Sequence, residues 1–425
     1  MKFLYDLSIK IYDLLILLAN WAGNEKAGSI ASGRKETIDR IKRFRKDCNG
    51  DVAWFHCASL GEFEQARPVI ESIKQTYSNY KIVVSFYSPS GYEVRKNSSF
   101  ADLIVYLPSD TNSHATEFIA ELKPTLAFFI KYEFWLNFLD AIQKASIPLF
   151  LVSGVFRKNL WFFRSGGNFM RRRLNAFTHF FLQEYTSGEL LTTIGIRNWT
   201  VSGDTRFDRV QKTAQSVVQI DAIISFKQDK PLLVIGSCWK EDMHVLIPFI
   251  NAFQFPLKIV IAPHEIHTDE IKQFQSLLIK KSVLYSAYTT NPETEADILF
   301  IDNIGMLSSI YAYADYAYVG GAFGSGLHNI LEPAVFGPPV FFGPNIQKFK
   351  EAGWMISLGY GFSISNTGEF TTIFQKIYND PMLKSTISTG LQNTMLQACG
   401  ATEHIMNTLS GLSIMAPSQQ TPTHL

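Results

Sequence analysis

Two segments combine carboxylates, glycines and polar side chains at spacings that suit group-transfer chemistry. In HCASLGEFEQARP (residues 56–68) a strand-like run ends at Ser59, Gly61 permits a tight turn, and a helix is expected to begin at or near Glu62. A carboxylate there lies beyond the carboxyl end of a strand, within reach of a substrate hydroxyl, so Glu62 is a candidate general base. The same placement also fits a plainer duty, complementing the positive end of a helix dipole. In GGAFGSGLHNILEPAVFGPPVFFGP (residues 320–344) a strand runs into a Gly-rich loop, and a helix is expected from His328 or Asn329. Backbone N–H groups at such a helix start hold phosphate, with Asn329 as N-cap. Glu332, one turn in, is placed to accept hydrogen bonds from ribose hydroxyls. No GK[ST] follows and the glycine spacing is not GxGxxG, so neither a Walker loop nor a dinucleotide fingerprint for hydride transfer is present.

Three shorter segments add candidates. IAPHEIH (residues 261–267) puts Pro263 and His264 directly after a strand; no carboxylate-rich surround points to a metal. His264 reads either as a hydrogen-bonding or stacking partner or as a satisfied structural histidine. IDNIGML (residues 301–307) again ends a strand with a glycine turn, and its backbone at Ile304, Gly305 and Met306 could read a base edge. GDTRFDRV (residues 203–210) carries Arg206, which suits either a leaving phosphate or a surface ion pair.

The elements that position these residues follow from the pattern of apolar runs. DVAWFHCAS, KIVVSF, ADLIVYL, TLAFFI, IPLFLVS and HFFLQ read as buried strands, with helical periodicity between them. After Asp229 a second series follows: PLLVIGS, LKIVIAP, ADILFID, YAYVGG and PPVFFG. That alternation predicts parallel sheets covered on both faces. The expected organisation is an amino-terminal segment (1–50), a first domain (51–206), a polar linker without strand signal (207–230), a second domain (231–412) and a flexible polar tail (413–425). The helical patterns from Pro381 to Gly400 and from Ala401 to Leu412 could pack back onto the first domain. Two Rossmann-like αβα domains with a cleft between them would set Glu62 opposite the nucleotide-like site of the second domain.

Composition narrows the function. With 425 residues, 46% hydrophobic and 18% charged, the chain is too apolar to be largely disordered and long enough for two or three domains. A formal net charge of +1 argues against a nucleic-acid coat protein. Four scattered cysteines without a CxxC pair support neither a disulfide framework nor a zinc knuckle. The amino terminus, MKFLYDLSIKIYDLLILLANWAGNEK, is apolar but broken by Lys2, Asp6, Lys10 and Asp13, and its uncharged run from Leu14 to Asn24 falls well short of the roughly 20 residues that span a bilayer. It is followed by Arg34, Lys35, Arg40, Lys42, Arg43, Arg45 and Lys46. An apolar helix followed by cations suits docking on an anionic membrane surface; a plain amphipathic helix packed on the domain is the other reading.

From about Ala53 to Glu351 these segments, in this order, resemble the 3-deoxy-D-manno-octulosonic acid (Kdo) transferases of lipopolysaccharide assembly. HCASLGE is similar to the family's H-x-x-S-x-G-E, KYEFWLN to E-T-E-L-W-P-N, GDTRFD to G-x-x-K-F-D, GSCWKED to G-S-T-x-x-x-E, and IAPHEIH to the A-P-H segment. DNIGMLSSIYAYADYAYVGGAF with GLHNILEPA resembles the long D-T-M-G-E-L…Y…A-D…F-V-G-G-S…G-G-H-N-x-L-E signature. The resemblance implies a GT-B type fold with an amino-terminal apolar helix, and an inverting, metal-independent transfer of Kdo from CMP-Kdo to a lipid A precursor at the cytoplasmic face of a bacterial inner membrane. It implies Glu62 as proton acceptor and a CMP site at Pro263, His264, Ile304, Gly305, Met306, Asn329, Ile330, Leu331 and Glu332. The first Glu of E-T-E, which has a transition-state role, is Lys131 here, while the second is kept as Glu133; the family Lys is Arg206, and Met306 replaces a Glu. The alternatives are another glycosyltransferase or a sugar-nucleotide epimerase with a soluble acceptor, or a non-catalytic nucleotide-sugar-binding protein.

Overall fold

A computed structural model describes residues 2–292, 295–324 and 326–415. It divides into two units, one running to Arg209 and resuming at Cys399, the other spanning Val210–Ala398. Each is built on a seven-stranded sheet whose strand pairs are all parallel.

In the first unit the strands are β1 (Val52–Cys57), β2 (Lys81–Phe86), β3 (Leu103–Tyr106), β4 (Leu126–Ile130), β5 (Leu149–Gly154), β6 (His179–Leu182) and β7 (Trp199–Val201), in the order β3-β2-β1-β4-β5-β6-β7. Every residue of β1 is buried, as expected for a central parallel strand covered on both faces. Alternate residues feed two cores: Val52 and Trp54 join Phe118, Phe129 and Phe138, while Ala53, Phe55 and Cys57 join Phe63, Phe128 and Phe150. The second unit carries β8 (Leu232–Cys238), β9 (Lys258–Pro263), β10 (Ser282–Leu284), β11 (Ile298–Phe300), β12 (Tyr316–Val319), β13 (Val340–Phe342) and β14 (Gly361–Ser363), in the order β10-β11-β9-β8-β12-β13-β14. In both sheets the chain starts in the middle and reverses direction across the sheet, between β1 and β4 in one and between β8 and β12 in the other. Ligands of such sheets bind beyond the strand ends at these switch points.

All eleven apolar runs read as strands are strands. The three that sequence reading missed, β7, β10 and β14, are three-residue strands at sheet edges, too short for a periodic or continuous apolar signal. The polar segment 207–230 is not an extended linker: it holds most of the helix Thr205–Gln215 and all of the helix Asp221–Lys227. The second unit also ends earlier than position 412. The helix Pro381–Gln397 stays with it, and only the helix Ala401–Gly411 returns to the first unit, where Ile405 and Leu409 enter the core beside Phe55. Residues 416–425 of the expected tail lie outside the described residues.

Helix α1 (Lys2–Trp21) forms, and among the described residues no helix is long and apolar enough to cross a membrane, in line with the short uncharged run. Its polar edge faces the protein. Lys2 pairs with Asp140 (3.1 Å), the Tyr5 hydroxyl donates to Asp110 (2.5 Å), Asp6 accepts from Asn137 (3.0 Å) and Asp13 accepts from Ser109 (2.6 Å). Phe3, Leu4, Leu7, Ile11, Leu14, Leu15, Leu18 and Trp21 are left exposed, spaced three or four apart as one helical face requires. Part of the basic stretch is engaged within the protein, while Lys35, Arg43 and Lys46 are exposed. On helix α2 (Glu25–Asp47), Arg34 bonds Asp13 and Ser109 and lies over the Tyr87 ring, Arg40 bonds the Tyr92 hydroxyl, Lys42 faces Glu117 and Glu121, and Arg45 donates to four backbone carbonyls. These cations fasten α2 to the domain.

Asp208 fastens the returning helix, accepting from the Gly400 N–H, the Thr402 N–H and the Thr402 hydroxyl, each at 2.6 Å. Replacing a capping carboxylate costs about 0.5–2 kcal/mol. Asp208→Ala should therefore lower the thermal midpoint, and limited proteolysis should cut first near residue 400.

Candidate active site

Glu62, Lys131 and Arg206 all belong to the first unit and all follow strand ends. Helix α3 (Leu60–Thr76) starts three residues after β1, with Glu62 in its first turn, and Glu62 is buried. Its carboxylate turns back to accept from the Ala58 N–H, with a further bond to the Ser59 N–H. The dipole reading and the base reading thus describe one placement. Burial, reinforced by the nearby charge of Glu133, raises its pKa to about 7, against the pull of the two backbone donors and of Lys131. Lys131 follows β4, the strand beside β1, in the left-handed region at φ 62°. For a residue with a Cβ such backbone is strained and costs about 1 kcal/mol or more. Its N–H still donates to the Val152 carbonyl (2.9 Å), so the turn is fixed on both sides.

Glu133 is the neighbour that sequence reasoning passed over. It is buried, and its Oε2 accepts from the Trp135 indole N–H at 2.6 Å and lies 3.3 Å from His56 Nε2. The same indole N–H is 3.0 Å from His56 Nε2, and His56 Nδ1 faces the Ser85 hydroxyl (2.9 Å) and carbonyl (3.2 Å). An Nε2–H donated to Glu133, with Nδ1 accepting from the Ser85 hydroxyl, leaves the indole N–H to the same Glu133 oxygen. The signal was available: His56 opens the HCASLGE segment and Glu133 and Trp135 lie in KYEFWLN, but nothing in their spacing shows that β1 and β4 are adjacent.

Arg206 begins the helix after β7. Its guanidinium holds Asp204 through Nε (3.0 Å) and Nη2 (2.8 Å), and its N–H donates to the same carboxylate (3.0 Å). Asp204 is buried and also accepts from Gln65 and Gln183. Burial alone would raise the Asp204 pKa, but Arg206 and these donors bring it below the usual carboxylate range. Arg206 is therefore half of a fixed pair, with its side chain a quarter exposed. The charges of Glu62, Arg206 and Arg157 all act on the Tyr132 hydroxyl, which places Tyr132 among them.

In the second unit the candidate positions gather at the carboxyl ends of β9, β11 and β12. Pro263 closes β9, and the His264 N–H donates to the Cys238 carbonyl (2.9 Å). Gly305 has φ 97°, Ile304 beside it is exposed, and Met306 accepts from Asn303 through its sulfur. The Gly-rich loop follows β12. A Cβ at Gly320 would lie 2.4 Å from the Ser237 carbonyl oxygen, so β8 and β12 approach there as only glycine allows. The helix expected from His328 or Asn329 starts later and is one turn long, Leu331–Ala334, so a helix dipole contributes little. The N-cap is Ile330 and not Asn329 as expected; Asn329 lies one residue before it, its Oδ1 accepting from the Leu331 N–H (3.2 Å) and its Nδ2 donating to Glu332 (3.0 Å). Ile330 and Leu331 are buried and offer backbone only.

Beside these lies an aromatic stack that was not anticipated. His264 stacks on both Trp239 (centroids 4.4 Å apart) and His328 (4.3 Å), while Trp239 and His328, 6.3 Å apart and nearly parallel, are joined by the Trp239 indole N–H donating to His328 Nε2 (2.9 Å). Burial, then the His264 charge, pushes the His328 pKa down to about 4, and burial lowers that of His264. Both rings stay neutral near pH 7 and present stacking faces. Below them the buried Asp242 accepts from the Trp239 N–H, the Gly321 N–H and the Tyr318 hydroxyl, tying β8 to the Gly-rich loop.

A carboxyl whose folded pKa is raised favours the folded state fully below the ordinary value of 4.5, and that contribution is lost as the pH rises through about 7. Glu62→Gln should therefore unfold at higher denaturant than the wild type at pH 8, by on the order of 1–3 kcal/mol, with the gap closing by pH 4. Urea titrations at the two pH values test this.

Residues 33–209 match the family model described as 3-deoxy-D-manno-octulosonic-acid transferase. Among curated proteins, the chain is 28% identical over 329 residues to the 3-deoxy-D-manno-octulosonic acid transferase of Chlamydophila psittaci, covering 75% of each, and 26% identical over 345 residues to that of Aquifex aeolicus, covering 78% of this chain and 88% of the other. Among solved structures it superposes on the UDP-GlcNAc 2-epimerase of Neisseria meningitidis with a TM-score of 0.59 (14% identity, 85% and 99% coverage) and on Acinetobacter baumannii MurG with 0.54 (14%, 85% and 99%). The last two show the shared two-domain Rossmann-like fold. The family model thus matches residues 33–209, and the likeness to Kdo transferases runs over about three quarters of the sequence, so the chain is similar to the Kdo transferases.

Proposed function

We propose that this chain is an inverting, metal-independent glycosyltransferase of the GT-B type that moves Kdo from CMP-Kdo to a sugar hydroxyl of a lipid A precursor in lipopolysaccharide assembly. The observation that carries the reading is the buried carboxyl of Glu62, raised to about 7 beside Glu133 and Lys131. A base of that strength is ionised at neutral pH yet basic enough to take a hydroxyl proton as the bond to the anomeric carbon forms.

In this reading the first unit receives the acceptor, and Lys131 and Arg206 offset negative charge on the donor carboxylate and the departing CMP phosphate. Arg206, held by Asp204, keeps a fixed orientation and loses little freedom when it meets an anion. The second unit takes the cytidylate at Pro263, His264, the Ile304–Met306 backbone and Asn329–Glu332; the stacked faces of Trp239, His264 and His328 suit a planar base. The exposed apolar face of α1 suits the interfacial zone of an anionic membrane, which puts the enzyme on the cytoplasmic face of a bacterial inner membrane, where a lipid acceptor is found. α1 lies on the bilayer in this reading and does not span it.

The test is direct. Glu62→Ala should lower kcat by roughly 10²–10⁴-fold, measured by mass spectrometry of a lipid A precursor incubated with CMP-Kdo, while calorimetric binding of CMP-Kdo persists. Near-normal transfer in that variant would remove the base assignment. Because the base works ionised, the rate should rise with pH through about 7. Glu133→Gln removes the neighbouring negative charge and should move that limb to lower pH; Lys131→Met removes the opposing cation and should move it higher.

A further inference from the structure

The segment KYEFWLN has two ends with different neighbours. At one end Lys131 and Glu133 border Glu62. At the other, Trp135 and Asn137 begin the helix Leu136–Lys144, and that helix start is where α1 sits. Asp110 accepts from the N–H groups of Asn137 (3.1 Å) and Phe138 (2.9 Å), capping the helix, and on the same carboxylate receives the Tyr5 hydroxyl of α1. The Asn137 side chain donates both to the Asp110 carbonyl (2.6 Å) and to Asp6 of α1 (3.0 Å). A second route uses rings. Tyr12 of α1 shares a side-chain hydrogen bond with Tyr87 and lies parallel to it at 6.2 Å, and Tyr87 stacks on Trp135 at 4.5 Å. The Trp135 indole N–H is the donor to Glu133.

We propose that α1 is a positioning element of the catalytic turn: through Asp110 and Asn137 on one side and Tyr87 on the other it holds Trp135, and Trp135 holds Glu133 beside the Glu62 base. Tyr5, Asp6, Tyr12 and Trp135 are positioning residues in this scheme, acting through Glu133. A helix that served attachment alone would need no bonds near the turn that carries Glu133; here Asp6 meets Asn137 in the helix that follows that turn, and Tyr5 meets Asp110, which caps the same helix. The proposal rests on Glu62 being the base.

The groups facing the pair are His56 and Cys57 of β1, the N–H groups of Ala58 and Ser59, Lys131 and Tyr132 after β4, and the Trp135 indole. With the indole N–H in place, Glu133 is held where its charge raises the pKa of Glu62. Without that donor Glu133 is no longer held beside Glu62, and Glu62 becomes ionised at lower pH.

The full-length chain is assayed with CMP-Kdo and a lipid A precursor in neutral detergent micelles, so that no bilayer is required, and kcat is followed from pH 5 to 9. Trp135→Phe keeps the ring and deletes the donor; Tyr5→Phe deletes only the hydroxyl on Asp110; Tyr12→Ala deletes the ring against Tyr87. The expected result is an acid limb displaced to lower pH by about one unit in Trp135→Phe and by a smaller step in the two α1 variants. A limb that stays in place in all three overturns the proposal and leaves α1 as an attachment helix. Glu62→Ala is run alongside: if it keeps its full rate, the limb belongs to another group, and the base reading falls together with the inference built on it.

Discussion

Two buried carboxylates sharing one end of a sheet are the constraint around which the first unit is arranged. Glu62 and Glu133 are both less than a tenth exposed, and the charge of Glu133 raises the cost of ionising Glu62. Such a pair is tolerable only if the negative charge is answered locally. The fold answers it asymmetrically. Glu133 receives the Trp135 indole and lies against His56, which Ser85 holds on its far side; Glu62 receives two backbone N–H groups and the field of Lys131. The result is one carboxyl poised near neutrality. Neither strand end could do this alone, since β1 supplies the donors for Glu62 and β4 the turn that carries Glu133.

Parallel sheets deliver this arrangement cheaply because adjacent strands end on the same edge. β1 and β4 are neighbours at the point where the winding reverses, so the loops that follow them diverge to opposite faces and leave room between. The second unit repeats the logic with β8 and β12: Trp239 and the Gly-rich loop leave the sheet side by side, joined by Asp242. Left-handed backbone recurs at Lys131 after β4, Ser153 within β5 and Ser237 within β8, the last two where strand register shifts. The same backbone occurs at Lys123, Ser146 and Gln228, before β4, β5 and β8, so strain is found at both edges of the sheets.

Much of the fold was legible because buried parallel strands are continuous apolar runs, and such runs announce themselves even without alternation. What escaped was short or set by contact at a distance. β7, β10 and β14 carry three residues each at sheet edges, where one side needs no apolar cover. The return of Ala401–Gly411 to the first unit depends on Asp208, nearly two hundred residues away, taking three bonds from its start. At the site, Glu62 was legible from a local strand-turn-helix pattern, whereas the Glu133–His56–Trp135 set was not, since it exists only once β1 and β4 are paired. The basic stretch of α2 misled in part, for the opposite reason: sequence shows charge but not its partners, and Arg34, Arg40, Lys42 and Arg45 have theirs within the domain.

The cation at position 131 gains its meaning from that same pair. The related E-T-E pattern would put an acid there, next to Glu62 and Glu133, and three carboxylates in a largely dry site would drive the Glu62 proton affinity higher still. With Lys131 in place, the local formal charge of these three side chains, all ionised, is −1 in place of −3. The cation therefore lets Glu62 give up its proton nearer neutrality and leaves the strand end less repulsive to an approaching anion. A lysine gains this only if its backbone is held where the strand ends, and the left-handed turn, bonded to Val152 of the neighbouring strand, holds it there. The strain at Lys131 and the charge balance of the site are in this sense one feature: the turn that costs folding energy is the turn that brings a positive charge to two buried negative ones.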